Sequence, residues 1–109
     1  MEIKEALQKR RTIRLFQQKP VPAELLRNMV EAARMASCAS NLQRLRYVVV
    51  ATPALVDDVL EKTAWAALVK PRRTPVNGVN GPAAFIAIAS SAEPSPILHA
   101  DAGAAIQSM

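Results

Sequence analysis

A run of basic and hydroxyl side chains near the start of the chain has the chemistry to bind a phosphate group. The run reads RRTIR and contains Arg10, Arg11, Thr12 and Arg14. Guanidinium groups form paired hydrogen bonds with phosphate oxygens, and the threonine hydroxyl can donate another. If the preceding helix continues through the run, Arg10 and Arg14 share one face of it. A solvated basic surface patch explains the same charges without a ligand.

A second polar segment, SCASNLQ at residues 37–43, could bind a polar heteroaromatic ring. Its hydroxyl and amide groups can donate and accept hydrogen bonds, and they belong to Ser37, Ser40, Asn41 and Gln43. Cys38 lies in this segment and is the single cysteine of the chain. A free cysteine is more often a small buried apolar residue than a nucleophile. The alternative interpretation of the segment is an ordinary connection between a helix and a strand.

Other kinds of site find little support in the sequence. His99 is the only histidine, and no second imidazole or thiolate stands at a metal-ligand spacing from it. The chain has neither a phosphate-binding Walker loop, a GxGxxG dinucleotide motif nor a paired zinc motif. We therefore expect no metal site and assign no catalytic acid, base or nucleophile.

Length and composition limit the chain to one small domain. It has 109 residues, of which 50% are hydrophobic and only 4% aromatic. A lone cysteine, a highly charged N-terminus and the absence of a long apolar run predict a cytoplasmic protein without a disulfide or a membrane span. Residues 1–46 carry ten Lys or Arg against four Asp or Glu, whereas residues 47–109 carry four against five. This asymmetry predicts an anionic partner.

Apolar periodicity predicts four helices and two strands around these segments. In the second predicted helix the core stripe is Leu25, Leu26, Met29, Val30 and Ala33. The predicted helices span residues 2–9, 23–36, 54–68 and 96–109, and the predicted strands span residues 47–51 and 83–89. Trp65 falls within the third of these helices. Residues 37–43 and 70–82 are predicted loops.

Both predicted strands are continuously apolar, which is typical of strands buried on both faces of a sheet. Two such strands do not form a stable sheet alone. The final helical pattern also ends without the glycine or basic residues that usually close a helix. We therefore expect either a fragment or an obligate oligomer.

Taken together, KRRTIRLF, PVPAELLRNMVEAARMA, SCASNLQ and RYVVVA resemble the N-terminal half of the nitroreductase family of FMN-dependent oxidoreductases. Further along, PAAFIAIAS is similar to the family's second buried strand, and HADAGAAIQSM is similar to its central helix. The resemblance implies an α+β fold in which helices pack around a small mixed sheet. It also implies one domain over residues 1–109 that is truncated after the central helix.

The same resemblance implies a homodimer that binds FMN and uses NAD(P)H to reduce nitroaromatic, quinone or similar acceptors by a ping-pong mechanism. The family's flavin phosphate and ribityl chain are bound by residues that correspond to Arg10, Arg11, Thr12 and Arg14. Its polar loop approaches the flavin of the partner subunit, which would place Ser37, Cys38, Ser40 and Asn41 near that flavin, with Gln43 supporting the loop.

The sequence departs from the family pattern at four positions in and after the polar loop. Pro and Ser are usual where this chain has Ser37 and Cys38, and Pro and Trp are usual at Arg44 and Leu45. Two other functions stay open. One is a non-enzymatic basic module that binds nucleic-acid phosphates through the arginine run with Arg44 and Arg46. The other is a degenerate, truncated relative that dimerises without flavin.

Overall fold

The structure, a computed structural model, describes residues 1–109 and contains four α-helices, one 3₁₀ turn and two β-strands. In chain order these are α1 (Ile3–Lys9), α2 (Ala23–Arg34), the 3₁₀ turn η1 (Ala39–Asn41), β1 (Arg46–Val50), α3 (Pro53–Glu61), β2 (Phe85–Ala89) and α4 (Pro96–Ser108). The predicted α+β class is confirmed, and each predicted helix and strand is present with adjusted ends.

The sheet consists of β1 and β2 paired antiparallel. Tyr47 lies opposite Ile88, and Val49 lies opposite Ile86. The segment between the two strands carries α3 and a long loop, so the pairing joins parts of the chain that are distant in sequence. The resemblance implied a mixed sheet, whereas these 109 residues contribute one antiparallel pair.

The two strands are not covered on both faces within this chain. Their continuous apolar runs predicted burial on both faces, so that prediction is corrected here. Val48 is 53% exposed, and no residue of either strand is fully buried. A run of valines favours burial because β-branched side chains pack well on a pleated surface, but the covering layer must come from another element. The helices of this chain do not supply it on both sides.

The core lies where α2 packs against α4. Its buried side chains include Leu26 and Ala33 from α2 and Leu98 and Ala105 from α4. Leu25 was predicted to lie in the same stripe but is 50% exposed. Since α2 packs mainly against one helix, it buries a narrower stripe than its apolar pattern predicts.

The third helix is shorter than predicted, and Trp65 lies beyond its end. α3 stops at Glu61, and the Thr63 hydroxyl donates to the Leu60 carbonyl at 2.7 Å. The Trp65 indole N–H then donates to Thr63 Oγ1, and its ring packs edge-on against Phe16 with 6.1 Å between centroids. These contacts stabilise the turn in place of a continued helix, so the prediction of a helix to residue 68 is wrong.

Two hydrogen bonds fasten the segment after the arginine run to the long loop. The Phe16 N–H donates to the Asn80 carbonyl at 2.9 Å, and Gln18 Nε2 donates to the Gly81 carbonyl at 2.8 Å. Gly81 is buried, and a Cβ there would lie 3.3 Å from the Val76 carbonyl oxygen. The absence of a side chain allows this close approach.

Candidate functional site

The arginine run follows α1 as non-helical backbone. The helix ends at Lys9, and Arg10 has φ −54° and ψ 132°. Arg10 and Arg14 therefore do not share a helix face, which corrects the conditional expectation drawn from their spacing. The helix ends here because nothing covers it: α1 has no buried residue, and a short, unpacked helix gains little from another turn.

The guanidinium groups of the run have no acidic partner. Arg11 Nη1 donates to the carbonyls of Gln8 and Arg10 at 2.8 and 2.7 Å, but the three ion pairs of the chain involve none of Arg10, Arg11 and Arg14. Arg10, Arg11 and Thr12 are exposed, and Arg14 is half-buried. Their donors are available to an anion from outside the chain.

The polar loop at residues 37–43 has an unusual backbone. Ser40, Asn41 and Gln43 have φ values of 52°, 52° and 51°, in the left-handed region. Such a conformation costs an L-residue about 1–2 kcal/mol and is best tolerated by glycine and asparagine. Gln43 Nε2 donates to Asn41 Oδ1 at 3.2 Å, which ties the end of the loop to its middle.

A buried carboxylate on α4 holds the loop in place. Asp101 Oδ1 accepts a hydrogen bond from the Ala39 backbone N–H at 3.0 Å, across 62 residues of sequence. Asp101 is buried, and it is the one Asp, Glu, Lys or Arg of α4. Its partner N–H belongs to η1, so the loop and the core helix are joined at the point where the left-handed residues begin.

Arg44, directly after the loop, lies beside the same carboxylate. Its Nη2 is 3.8 Å from Asp101 Oδ2, an ion pair too long to be a hydrogen bond. None of the guanidinium N–H groups has a hydrogen-bond partner, and Nε is buried. An unpaired buried donor costs about 1–3 kcal/mol. The Arg44 backbone is better satisfied, because its carbonyl accepts from Ser90 Oγ at 2.9 Å.

These groups surround a cavity of about 280 Å³, which we call the basic pocket. Its polar lining comes from Arg34, Ser37, Cys38, Gln43, Arg44, Arg46, Tyr47 and Asp101. Three predicted site residues from the loop therefore meet here. Ser40 and Asn41 are exposed outside the pocket, and the arginine run does not line it.

His99 lies apart from this pocket, whereas Cys38 lines it. His99 is exposed on α4, and no three His, Cys, Asp or Glu side chains converge as a metal-binding group. Cys38 is half-buried. None of the helices combines the length and the apolar character needed to cross a membrane.

Sequence reasoning missed the contact between Asp101 and the loop. The resemblance places Asp101 in the central helix and implies no role for it. One signal in the sequence could have revealed the contact: Asp101 is the single carboxylate in a largely apolar helix. A carboxylate buried by such a helix requires a hydrogen-bond or charged partner elsewhere in the fold. For Arg44, the sequence suggests only a departure from the family pattern and a nucleic-acid contact.

Comparison with known proteins adds two findings. The Nitroreductase family matches residues 7–109, which include all the elements from the middle of α1 to the end of α4. A protein of Thermus thermophilus named NADH dehydrogenase is 50% identical over 54 residues, which are 50% of this chain and 26% of that protein. The matched segment thus spans about a quarter of the relative's length. With its family match extending over nearly the whole sequence, the chain belongs to the nitroreductase family.

Proposed function

We propose that this chain is the flavin-binding part of an oxidoreductase that uses NAD(P)H to reduce nitroaromatic, quinone or similar acceptors. Membership in the nitroreductase family supports an oxidoreductase, and the name of the Thermus relative supports a nicotinamide nucleotide as its reductant. The observation that carries the proposal is the set of unpaired guanidinium groups in the arginine run.

The residues of the run fit the phosphate end of FMN. A phosphate monoester is a dianion with three acceptor oxygens, and it requires several donors at one place. Arg10 and Arg14 bring guanidinium groups without acidic partners, and Thr12 brings an exposed hydroxyl. Arg11, whose Nη1 is bonded to backbone carbonyls, would contribute its remaining donors toward the ribityl chain.

The polar loop fits the role of a contact to the flavin of a partner subunit. Ser40 and Asn41 are exposed, so their hydroxyl and amide groups can meet a surface outside the chain. Gln43 supports Asn41 through its side-chain hydrogen bond. Ser37 and Cys38 line the basic pocket behind the loop, and we propose that they form the inner side of the same contact.

Bound FMN would supply the redox chemistry by accepting a hydride from the nicotinamide and passing electrons to the acceptor. The chain's own residues would bind and orient. The arginine run would fix the phosphate, and Asp101 would hold the loop backbone through the Ala39 N–H. Because hydride transfer depends on the reacting atoms lying about 3–3.5 Å apart, a loop held by a buried contact serves positioning better than a free one.

A homodimer is the arrangement we propose, because apolar surface is exposed on several elements. Ile3 and Leu7 of α1 and Val48 and Val49 of β1 are all exposed. An apolar groove of about 660 Å³ also lies between β2 and α4. Contiguous apolar surface of this kind marks interaction sites.

The rival function, a nucleic-acid module, is less well supported by the arginine contacts. Arg46 Nη1 donates to the carbonyls of Gln43 and Leu45 at 3.1 and 3.0 Å, and Arg44 is only 28% exposed. One amino group of Arg46 is therefore engaged by the backbone, and Arg44 lines the basic pocket with little exposure on the outer surface. They do not extend the arginine run into one exposed surface for a phosphate backbone.

Titration of FMN with the purified chain, followed by flavin fluorescence, tests the proposal. We expect the parent to bind and Arg10→Ala/Arg14→Ala to bind on the order of 100-fold more weakly, since each charge-assisted hydrogen bond contributes roughly tenfold or more. Arg72→Ala/Arg73→Ala removes the same charge from an exposed loop without ion pairs and is the matched control.

Equal affinity of the parent and Arg10→Ala/Arg14→Ala would refute the assignment of the phosphate to these arginines. Failure of the parent to bind FMN would favour a relative that dimerises without flavin.

A further inference from the structure

We propose that the basic pocket binds a compact oxyanion, a phosphate or carboxylate group of a small molecule, with Arg44 as its principal donor. The pocket lies between the end of α2, the polar loop and the start of β1. The proposal goes beyond the flavin assignment, because it concerns different arginines and requires no flavin to be bound; Ser37, Cys38 and Gln43 are shared by the two assignments.

The first observation is that the Arg44 guanidinium has no hydrogen-bond partner. A guanidinium has five N–H donors, and a donor that is buried in a protein nearly always has a hydrogen-bond acceptor. Arg44 Nε is the one buried side-chain nitrogen or oxygen of the chain without a partner. Asp101, the nearest carboxylate, is 3.8 Å from Nη2, so it balances part of the charge and satisfies none of the donors. Nη1 and Nη2 also lack a partner in the chain but are not buried as Nε is, so an oxyanion in the pocket would accept hydrogen bonds from these two groups.

The second observation is the charge of the lining. Three arginines border the pocket, against one carboxylate. Arg34 is paired with Glu31 through Nη1, at 2.6 Å, on the exposed side of α2. Arg46 is oriented by two backbone carbonyls, which leaves its charge uncompensated. The pocket therefore has a positive excess centred on Arg44 and Arg46.

Neutral groups suited to the same ligand complete the lining. Ser37 and Tyr47 bring hydroxyls, and Gln43 brings an amide that can donate to an oxygen. Charged and neutral donors around one small space are typical of sites that recognise a planar carboxylate or a phosphate, because guanidinium forks match the spacing of those oxygens.

The size of the cavity limits what enters. Pockets that enclose a whole drug-sized ligand have volumes of about 300–1,000 Å³. The basic pocket, at about 280 Å³, is just below that range. It admits an anionic end group or a very small acid, and the remainder of a larger ligand would extend outside.

Site-resolved NMR of the whole chain, titrated with inorganic phosphate and separately with acetate, tests the proposal. We expect saturable shifts of the backbone amide signals of Ser37, Cys38 and Tyr47. Arg44→Met, which keeps an unbranched apolar side chain and removes the charge, should weaken this binding by about tenfold or more. Arg27→Met, an exposed position on α2 outside the pocket, should leave it unchanged.

Shifts with phosphate alone would identify a phosphate site, and shifts with both ions would identify a general oxyanion site. The proposal is overturned if neither ion shifts the pocket signals, if the shifts occur only around the arginine run, or if Arg44→Met binds as the parent does. Circular dichroism verifies that the variant is folded. If Arg44→Met does not fold, Arg44→Gln keeps a polar side chain without the charge, and the same loss of binding is expected.

Discussion

Removing the Asp101 carboxylate is the most informative perturbation of the contact between the loop and the core. Asp101→Ala eliminates the acceptor of the Ala39 N–H and the charge beside Arg44. The Ala39 donor is then left partly buried without its partner, and a guanidinium that is only 28% exposed loses its counter-charge. Both consequences destabilise the folded chain.

The expected magnitude follows from these two contacts. A hydrogen bond to a charged group contributes about 1.5–3 kcal/mol, and breaking a buried ion pair by removing one partner costs about 3–5 kcal/mol. The two effects overlap, and the 3.8 Å separation and partial exposure of Arg44 weaken the second. We therefore expect the free energy of unfolding to fall by about 2–4 kcal/mol, and the melting temperature by roughly 10 °C or more.

Thermal and urea unfolding, followed by circular dichroism, measure this change. Asp101→Asn keeps an acceptor oxygen and should lose only about 1–2 kcal/mol. Asp58→Ala, an exposed position on α3 without an ion pair, is the control and should stay within about 0.5 kcal/mol of the parent.

A double-mutant cycle isolates the pair. Arg44→Met in the Asp101→Ala background removes the uncompensated guanidinium, so the double variant should be more stable than the two single losses predict, by at least about 0.5 kcal/mol. Additive losses would show that the two side chains are not coupled. An Asp101→Ala melting temperature within about 2 °C of the parent would refute the idea that Asp101 stabilises the chain by holding the loop.

Three further outcomes are expected. Gly103→Ala should stabilise the chain by about 0.5–1 kcal/mol, because Gly103 lies in α4 with open space where a Cβ would stand. Gly81→Ala should destabilise the chain, because a Cβ there would lie 3.3 Å from the Val76 carbonyl oxygen. Urea unfolding compares the two variants. Ser95→Ala should cost about 1 kcal/mol of thermal stability, since Ser95 Oγ caps α4 by accepting from the Leu98 N–H at 3.1 Å. If the chain forms a dimer through α1, Leu7→Glu should convert it to a monomer, because Leu7 is an apolar residue of α1 that is 61% exposed. Leu68→Glu, at a loop position that is 97% exposed, is the control and should stay dimeric. Light scattering measures both molar masses, and equal masses would contradict an interface through α1.

The sequence predicted the features that depend on local pattern. Apolar residues at helical spacing located α2 and α4 to within two residues at each end, and the valine and isoleucine runs located both strands. The polar composition of residues 37–43 predicted a loop. The arginine run was predicted as a phosphate-binding segment from its residue types, and its lack of acidic partners is compatible with that prediction.

Features that depend on distant contacts could not be predicted in the same way. The end of α3 was misplaced because the packing of Trp65 against Phe16, 49 positions earlier in the chain, is invisible to a helical pattern. The face of α2 that is covered depends on α4, so Leu25 matched the apolar stripe and is nevertheless half-exposed.

The sequence by itself determined the α+β class, the family and the residue types available at each segment. Only the tertiary structure decided that Asp101 binds the Ala39 N–H, that Arg44 lies beside it without a hydrogen bond, and that both border one cavity. The reason is physical. Local spacing governs backbone hydrogen bonds and amphipathic faces, whereas the partner of a buried charge is set by which helix packs against which loop.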